Sequence, residues 1–221
     1  MNETAQFILS LSIGLTVIIA IIRFKTIDRS YYPFFYLAGI SLLVEITSFV
    51  LAKNKLYEPI SVMMNLFYFT ELFFYTWLFH QWGLFNLKRH IFLLIILTYF
   101  ICWVILTFYA GSITKPGLYF PVVYAITLLF FAVTTFNKFV IQDRGPVIKN
   151  PKFWISMGVI IFYSFYLLNK STGLSVFGER ASDMLRRGIY SIVTYSNLIV
   201  NLMFAIAALC IPRKKNFSKL F

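Results

Sequence analysis

Charge is scarce in this sequence. Of 221 residues only 13% are Asp, Glu, Lys or Arg, about half the share of a soluble domain. Hydrophobic residues make up 60% and aromatics 20%, which excludes an ordinary soluble enzyme, a disordered regulator and a disulfide-stapled module. Only two cysteines occur, Cys102 in the middle of one apolar run and Cys210 at the end of another. Pairing them would need a large shift in depth. Metal and nucleophile signatures are missing as well: no HExxH, GxSxG, P-loop or CxxC pattern is present. The two histidines, His80 and His90, flank one loop and read as interfacial side chains, not haem or metal ligands. No lysine falls inside an apolar run, so a retinal Schiff base has no attachment point. No cofactor and no metal are expected.

What the chain has instead is a series of long apolar runs, each near the roughly 20 residues that cross a bilayer as a helix. They are read at 5–22, 33–51, 59–79, 91–110, 119–136, 153–168 and 188–211. Pro33, Pro59, Pro121 and Pro151 stand at or near the starts, where a missing N–H costs nothing. Pro212 follows the last run, where proline cannot continue a helix. The fold class expected is therefore all-α, a polytopic membrane protein with seven transmembrane helices in a single domain over 1–221 and no soluble domain. The N-terminal MNETAQ has no positive stretch before the first run, so no cleavable signal is expected.

The net charge of +12 invites a nucleic-acid reading, but the basic residues cluster in short segments between apolar runs, which is the membrane-flanking pattern. Nucleic acid is not an expected partner; the lipid bilayer is. Segments after odd-numbered runs hold thirteen of the twenty Lys and Arg residues, and the opposite side holds seven. The positive-inside rule then places the N-terminus outside and the C-terminus in the cytoplasm, with the chain in the cell membrane. One loop runs against the rule. Between the sixth and seventh runs stand Arg180, Arg186 and Arg187, beside Lys170. The plainer reading is a short interfacial helix; the sharper one is a basic lid over an anionic ligand.

Of 28 charged residues, 26 lie outside the runs. The exceptions are Glu45 in the second run and Glu71 in the third. An acid near the bilayer centre costs roughly 2.5–3.5 kcal/mol on insertion scales, so it faces the bundle interior. No Lys, Arg or His inside a run can neutralise these two. Each must be protonated, hydrogen-bonded by neutral groups, hydrated, or balanced by a bound cation.

Helical spacing aligns Met64, Tyr68, Glu71 and Tyr75, with Asn65 at the edge, and aligns Ser41, Glu45 and Ser48. Counted from the outer boundary at 1.5 Å per residue, Glu45 and Asn65 both lie about 9 Å deep and Glu71 about 18 Å. A Glu45–Asn65 hydrogen bond is therefore expected. Tyr190, Thr194, Asn197 and Asn201 form a polar stripe on the last run. Ser156, Tyr163 and Tyr166 add hydroxyls from the sixth, and Tyr99 and Trp103 add polar tips from the fourth. A polar cavity between the second, third, sixth and seventh helices is expected. Its ligand- or proton-binding residues would be Glu45, Glu71, Asn65, Tyr68, Tyr75, Tyr163, Asn197 and Asn201. The competing reading makes the Asn and Tyr side chains interhelical glue, worth about 0.6 kcal/mol per contact.

LLVEITSFVLAKN in the second run, YFTELFFY in the third, NPKFWISMGVIIFY in the sixth and SNLIVNLMF in the seventh resemble a family of uncharacterised bacterial heptahelical proteins. The resemblance implies seven helices, an inward Glu in helices 2 and 3, and association with two-component signalling. Its pattern falls on Glu45, Glu71, Phe153, Trp154, Tyr163 and Asn201. It brings no established activity.

The function expected first is a sensor or signalling membrane subunit that binds a small-molecule or lipid ligand and acts through a separate partner chain. No catalytic residues are assigned. A proton- or cation-coupled transporter or channel is the alternative, although no Gly- or Pro-broken span is evident of the kind many transporter sites use. An intramembrane lipid-modifying enzyme and a structural subunit stand behind these.

Overall fold

The computed structural model describes residues 3–85, 88–109, 111–140, 146–172 and 183–212. Among them the chain is helical and contains no strand. That is the solution a nonpolar solvent demands, because only a helix or a closed barrel satisfies every backbone N–H and C=O internally. The first apolar run is divided into α1 (Glu3–Ser10) and α2 (Ile13–Arg23). Then follow α3 (Tyr32–Lys53), α4 (Tyr57–Gln81), α5 (Arg89–Val104), α6 (Tyr119–Thr135), α7 (Pro151–Ser171) and α8 (Asp183–Cys210). Both α5 and α6 run on into one π-helical segment, Ile105–Tyr109 and Phe136–Val140.

Among the described residues six stretches are long and apolar enough to cross a membrane, and they make this a multi-pass membrane protein. The helix left out of that set is α4. It is 25 residues long but carries Glu58, Asn65, Glu71 and three tyrosines, so its composition conceals a length that suffices. Large apolar side chains face outward along the bundle, among them Leu94, Leu97 and Ile101 on α5, Phe130 on α6 and Leu209 on α8. An apolar exterior of this kind belongs in lipid.

Local signals set the helix ends. Pro33 occupies the first turn of α3, and Pro151 opens α7 behind Asn150, whose side chain accepts the Lys152 N–H at 3.0 Å. The α3–α4 turn closes with Lys55 at φ 57°, and the Leu56 N–H returns to the Leu51 carbonyl at 3.0 Å. After α4, Gly83 takes φ 84° in the same role, with the Leu84 N–H on the Phe79 carbonyl. At the end of α8 the Arg23 guanidinium donates to the carbonyls of Ala208, Leu209 and Ile211, which places a cation where the helix dipole favours one.

The helices pack as a closed ring. In order, α2 touches α3, α3 touches α4, α4 touches α6, α6 touches α7, α7 touches α8, and α8 returns to α2. α5 stands outside the ring against α4, with its π segment touching α6. The tightest seam is α7 on α8, where Gly158 gives way to Phe204: a Cβ at this glycine would lie 2.6 Å from the phenyl ring.

Long-range bonds define the two ends of the bundle. Asn65 ties α4 to the loop before α6, and Tyr190 reaches Gln6 at that same end. At the other end the Asp28 N–H meets the Pro212 carbonyl, and Lys138 donates to Gly83.

A cavity inside the helical ring

The ring encloses a cavity of about 370 Å³, at the small end of the range for ligand sites, about 300–1,000 Å³. Every member of the ring lines it. Ser10 and Ile13 come from the first span, Tyr124 from α6, and larger groups from α3, α4, α7 and α8. Nothing from α5 does. Along α4 the lining runs from Ile60 to Tyr75, about 22 Å at 1.5 Å per residue, so the cavity runs along much of the bundle's length.

The two acids of the apolar runs line this one space. The expected stripe on α3, Ser41, Glu45 and Ser48, lines it in full, as do Met64, Tyr68, Glu71 and Tyr75 on α4. Tyr163 and Tyr166 enter from α7, and Asn197 and Asn201 from α8. No ion pair joins either carboxylate to a basic side chain among the described residues. The Tyr124 hydroxyl lies 3.4 Å from the Glu71 carboxylate and points its donor at it. Glu45 stands beside Ser10, whose own hydroxyl is turned to the Phe7 carbonyl at 2.9 Å.

Around Glu71 the walls are aromatic. Tyr68 stacks on Tyr124 with centroids 5.4 Å apart, and Tyr163 meets Tyr124 edge-on at 5.5 Å. Tyr166 meets Tyr124 at 5.9 Å and Tyr163 at 6.1 Å. Tyr75 closes the lower side against Tyr163. The hydroxyls of Tyr163 and Tyr166 are shielded from solvent, that of Tyr163 beside the Glu71 carboxylate and that of Tyr166 beside Tyr68 and Tyr124, each just beyond hydrogen-bond distance. Both residues line the cavity. The Lys170 ammonium lies 5.6 Å from the Tyr68 ring centre and 5.5 Å from that of Tyr166.

Asn65 stands apart from this set and does not reach Glu45. Its amide donates to the carbonyls of Ile113 and Lys115, at 2.8 and 2.9 Å, and its Oδ1 accepts the Gly117 N–H at 3.1 Å. Its backbone carbonyl takes the Trp103 indole N–H. Equal depth with Glu45 was no guide, because depth fixes one coordinate and leaves the angle about the helix axis free. Tyr99 and Trp103 are likewise structural: Tyr99 accepts from Thr127, and neither lines the cavity. Ser156 is buried behind the wall. Tyr190 is half exposed at the end of the bundle. Arg180 lies outside the described residues, and so do the side chains of Arg186 and Arg187, although α8 begins before them at Asp183. The lid and the interfacial helix expected there fall on the same stretch. Cys102 and Cys210 are free thiols.

Tyr124 and Ser10 were missed by the sequence reading. Tyr124 carries the only tyrosine hydroxyl in the interior of its run, and that was its signal. Ser10 had none, because its position depends on a break in the first helix. There the Ser12 N–H bonds Leu9 and the Gly14 N–H bonds Leu11, three residues back instead of four, and the Ser12 hydroxyl also turns to Leu9. The Asn201 amide fills the gap, 2.9 Å from the Ser12 hydroxyl and 3.5 Å from the Ser10 carbonyl. A side chain inserted into the ladder at a Ser/Gly-rich site is a recognised cause of such interruptions. The sequence reading saw no broken span, and the structure corrects it.

Comparison with protein-family models, with curated proteins and with solved structures found no match.

Proposed function

We propose that this chain is an integral membrane sensor. In this reading it is a seven-span bundle in a bacterial inner membrane, N-terminus outside and C-terminus cytoplasmic. It holds a small or lipid-like ligand, or a proton, in the ring cavity and signals through a separate partner chain. The observation that supports it is the meeting of Glu45 and Glu71, both without ion-pair partners among the described residues, in one cavity lined by every helix of the ring. An occupant touching all six members has differential contacts with any two arrangements of them, and that is the condition for a ligand to shift an equilibrium. The resemblance noted in the sequence adds two-component signalling as the class of output.

The test is affinity capture after crosslinking in native membranes, comparing wild type with Glu71→Gln. Recovery of one discrete partner whose yield changes with the substitution supports the reading. Absence of any partner from both, or a yield indifferent to Glu71, overturns it.

The interrupted first helix favours transport as a second reading. Discontinuous helices recur at transporter sites, and this break abuts the cavity at Ser10 and Asn201. Proton uptake into proteoliposomes, followed with an entrapped pH dye, would have to be present in wild type and lost in Glu71→Gln.

A further inference from the structure

The ring cavity has a chemistry narrower than the proposed sensor reading requires, and the inference drawn from it rests on that reading. Glu71 brings a carboxylate, and no basic group pairs with it or with Glu45 among the described residues. Five tyrosines surround the same space; Tyr68, Tyr75, Tyr124 and Tyr163 are each at most 6% exposed, and Tyr166 lines it with them. Phe34, Phe67, Phe162 and Met64 complete walls that are mainly apolar. A hard metal ion is poorly served by such walls, since it takes six or more oxygens in a compact shell. Among the described residues no three His, Cys, Asp or Glu side chains converge anywhere.

Aromatic rings around a carboxylate suit another guest. The negative face of a tyrosine ring attracts an ammonium within about 6 Å of its centre, and ring cages recognise quaternary ammonium ligands in this way. The protein already displays the attraction at the rim. Lys170 lays its ammonium against Tyr68 and Tyr166 and stops there, short of any ion pair with Glu71. Deeper in, the Tyr163 hydroxyl is buried beside the Glu71 carboxylate and lines the same space.

We infer that the cavity binds a small organic cation, with an alkylammonium group seated among the tyrosine rings and countered by the Glu71 carboxylate. The apolar walls then take the methyl or methylene groups, and the tyrosine hydroxyls take a polar tail. The ammonium can belong to a free amine or to a lipid headgroup.

The experiment uses the full chain in nanodiscs of phosphatidylglycerol, which has no amine. Thermal unfolding is followed against choline chloride, with sodium chloride as the ionic control. 3,3-Dimethyl-1-butanol, the uncharged carbon counterpart of choline, serves as the isostere. Choline is expected to raise the melting temperature in a saturable way, the isostere to need at least tenfold higher concentration, and Glu71→Gln to weaken choline at least tenfold. Should Glu71→Gln fail to fold, Tyr166→Leu and Tyr166→Phe replace it: loss of the ring weakens choline several-fold, and the phenyl ring retains it.

Equal stabilisation by choline and its isostere, or a choline effect unchanged in both Glu71→Gln and Tyr166→Leu, overturns the cation while leaving a ligand-binding cavity for the sensor reading. Stabilisation by neither probe overturns the cation too, and the sensor reading then stands or falls on the partner capture. A parallel series in discs containing phosphatidylethanolamine assigns the source. Competition with choline supports a headgroup ammonium, and an unchanged midpoint supports a free amine.

Discussion

Asn65 shows how much one buried amide can carry. Its two donors and its acceptor pin three backbone groups of the loop between α5 and α6, and Gly117 comes so close that a Cβ there would lie 2.5 Å from Oδ1. Asn65→Ala leaves these groups without their partner, a loss of about 2–3 kcal/mol. Asn65→Asp is nearly isosteric, yet it should cost at least as much, because a carboxylate would face the Ile113 and Lys115 carbonyls where donors stood. Thermal melts of the purified variants check the order; an Asp variant as stable as wild type would show that these bonds do not hold the loop. From the sequence, Asn65 looked like a partner of Glu45, since both lie at one depth. Glu71 and its stripe were legible because an acid without a nearby cation has few resting places in a membrane. Tyr124 was not, because a tyrosine in an apolar run is also ordinary packing, and only the ring geometry turns its hydroxyl toward Glu71.

Among the elements, the helix ends followed their prolines closely, whereas the interior irregularities did not. No proline marks the interruption at Leu11–Ser12. It exists because Asn201, nearly two hundred residues away in sequence, supplies the missing hydrogen bonds, and a local reading has no access to that. α4 reads as an apolar run opening at Pro59, although Glu58, Asn65 and Glu71 make it more polar than the other spans. Two substitutions test the element contacts. Gly158→Ala puts a methyl group into the Phe204 ring at the α7–α8 seam and should destabilise by about 1–3 kcal/mol, as overpacking does. Phe204→Leu in the same chain should recover part of that loss, and a double mutant no better than the single would place the strain elsewhere. At the α3–α4 turn, Lys55 holds a left-handed conformation that costs an L-residue about 1 kcal/mol. Lys55→Gly should therefore raise the melting temperature, provided the turn keeps its Leu56-to-Leu51 bond.

For the whole molecule, the decisive property is that a ring of six helices closes around polar groups while its outer surface stays apolar. Placing α5 outside the ring follows from the same division: it contributes no cavity residue, and its exposed Leu and Ile side chains need only lipid. Orientation is the one global feature that comes from charge alone. The structure joins Asn65 to the loop holding Lys115, at the end of the bundle that carries Lys55, and joins Gly83 to Lys138 at the opposite end. The positive-inside count assigns the first end to the exterior and the second to the cytoplasm. In a background with Cys102 and Cys210 replaced by serine, Lys55→Cys and Lys115→Cys should react with a membrane-impermeant maleimide on intact cells. Gln81→Cys and Lys149→Cys should react only after permeabilisation. The reverse pattern would invert the orientation. Labelling of all four in intact cells would mean that the ring does not span the membrane at all, and the apolar exterior would then need a protein partner to cover it.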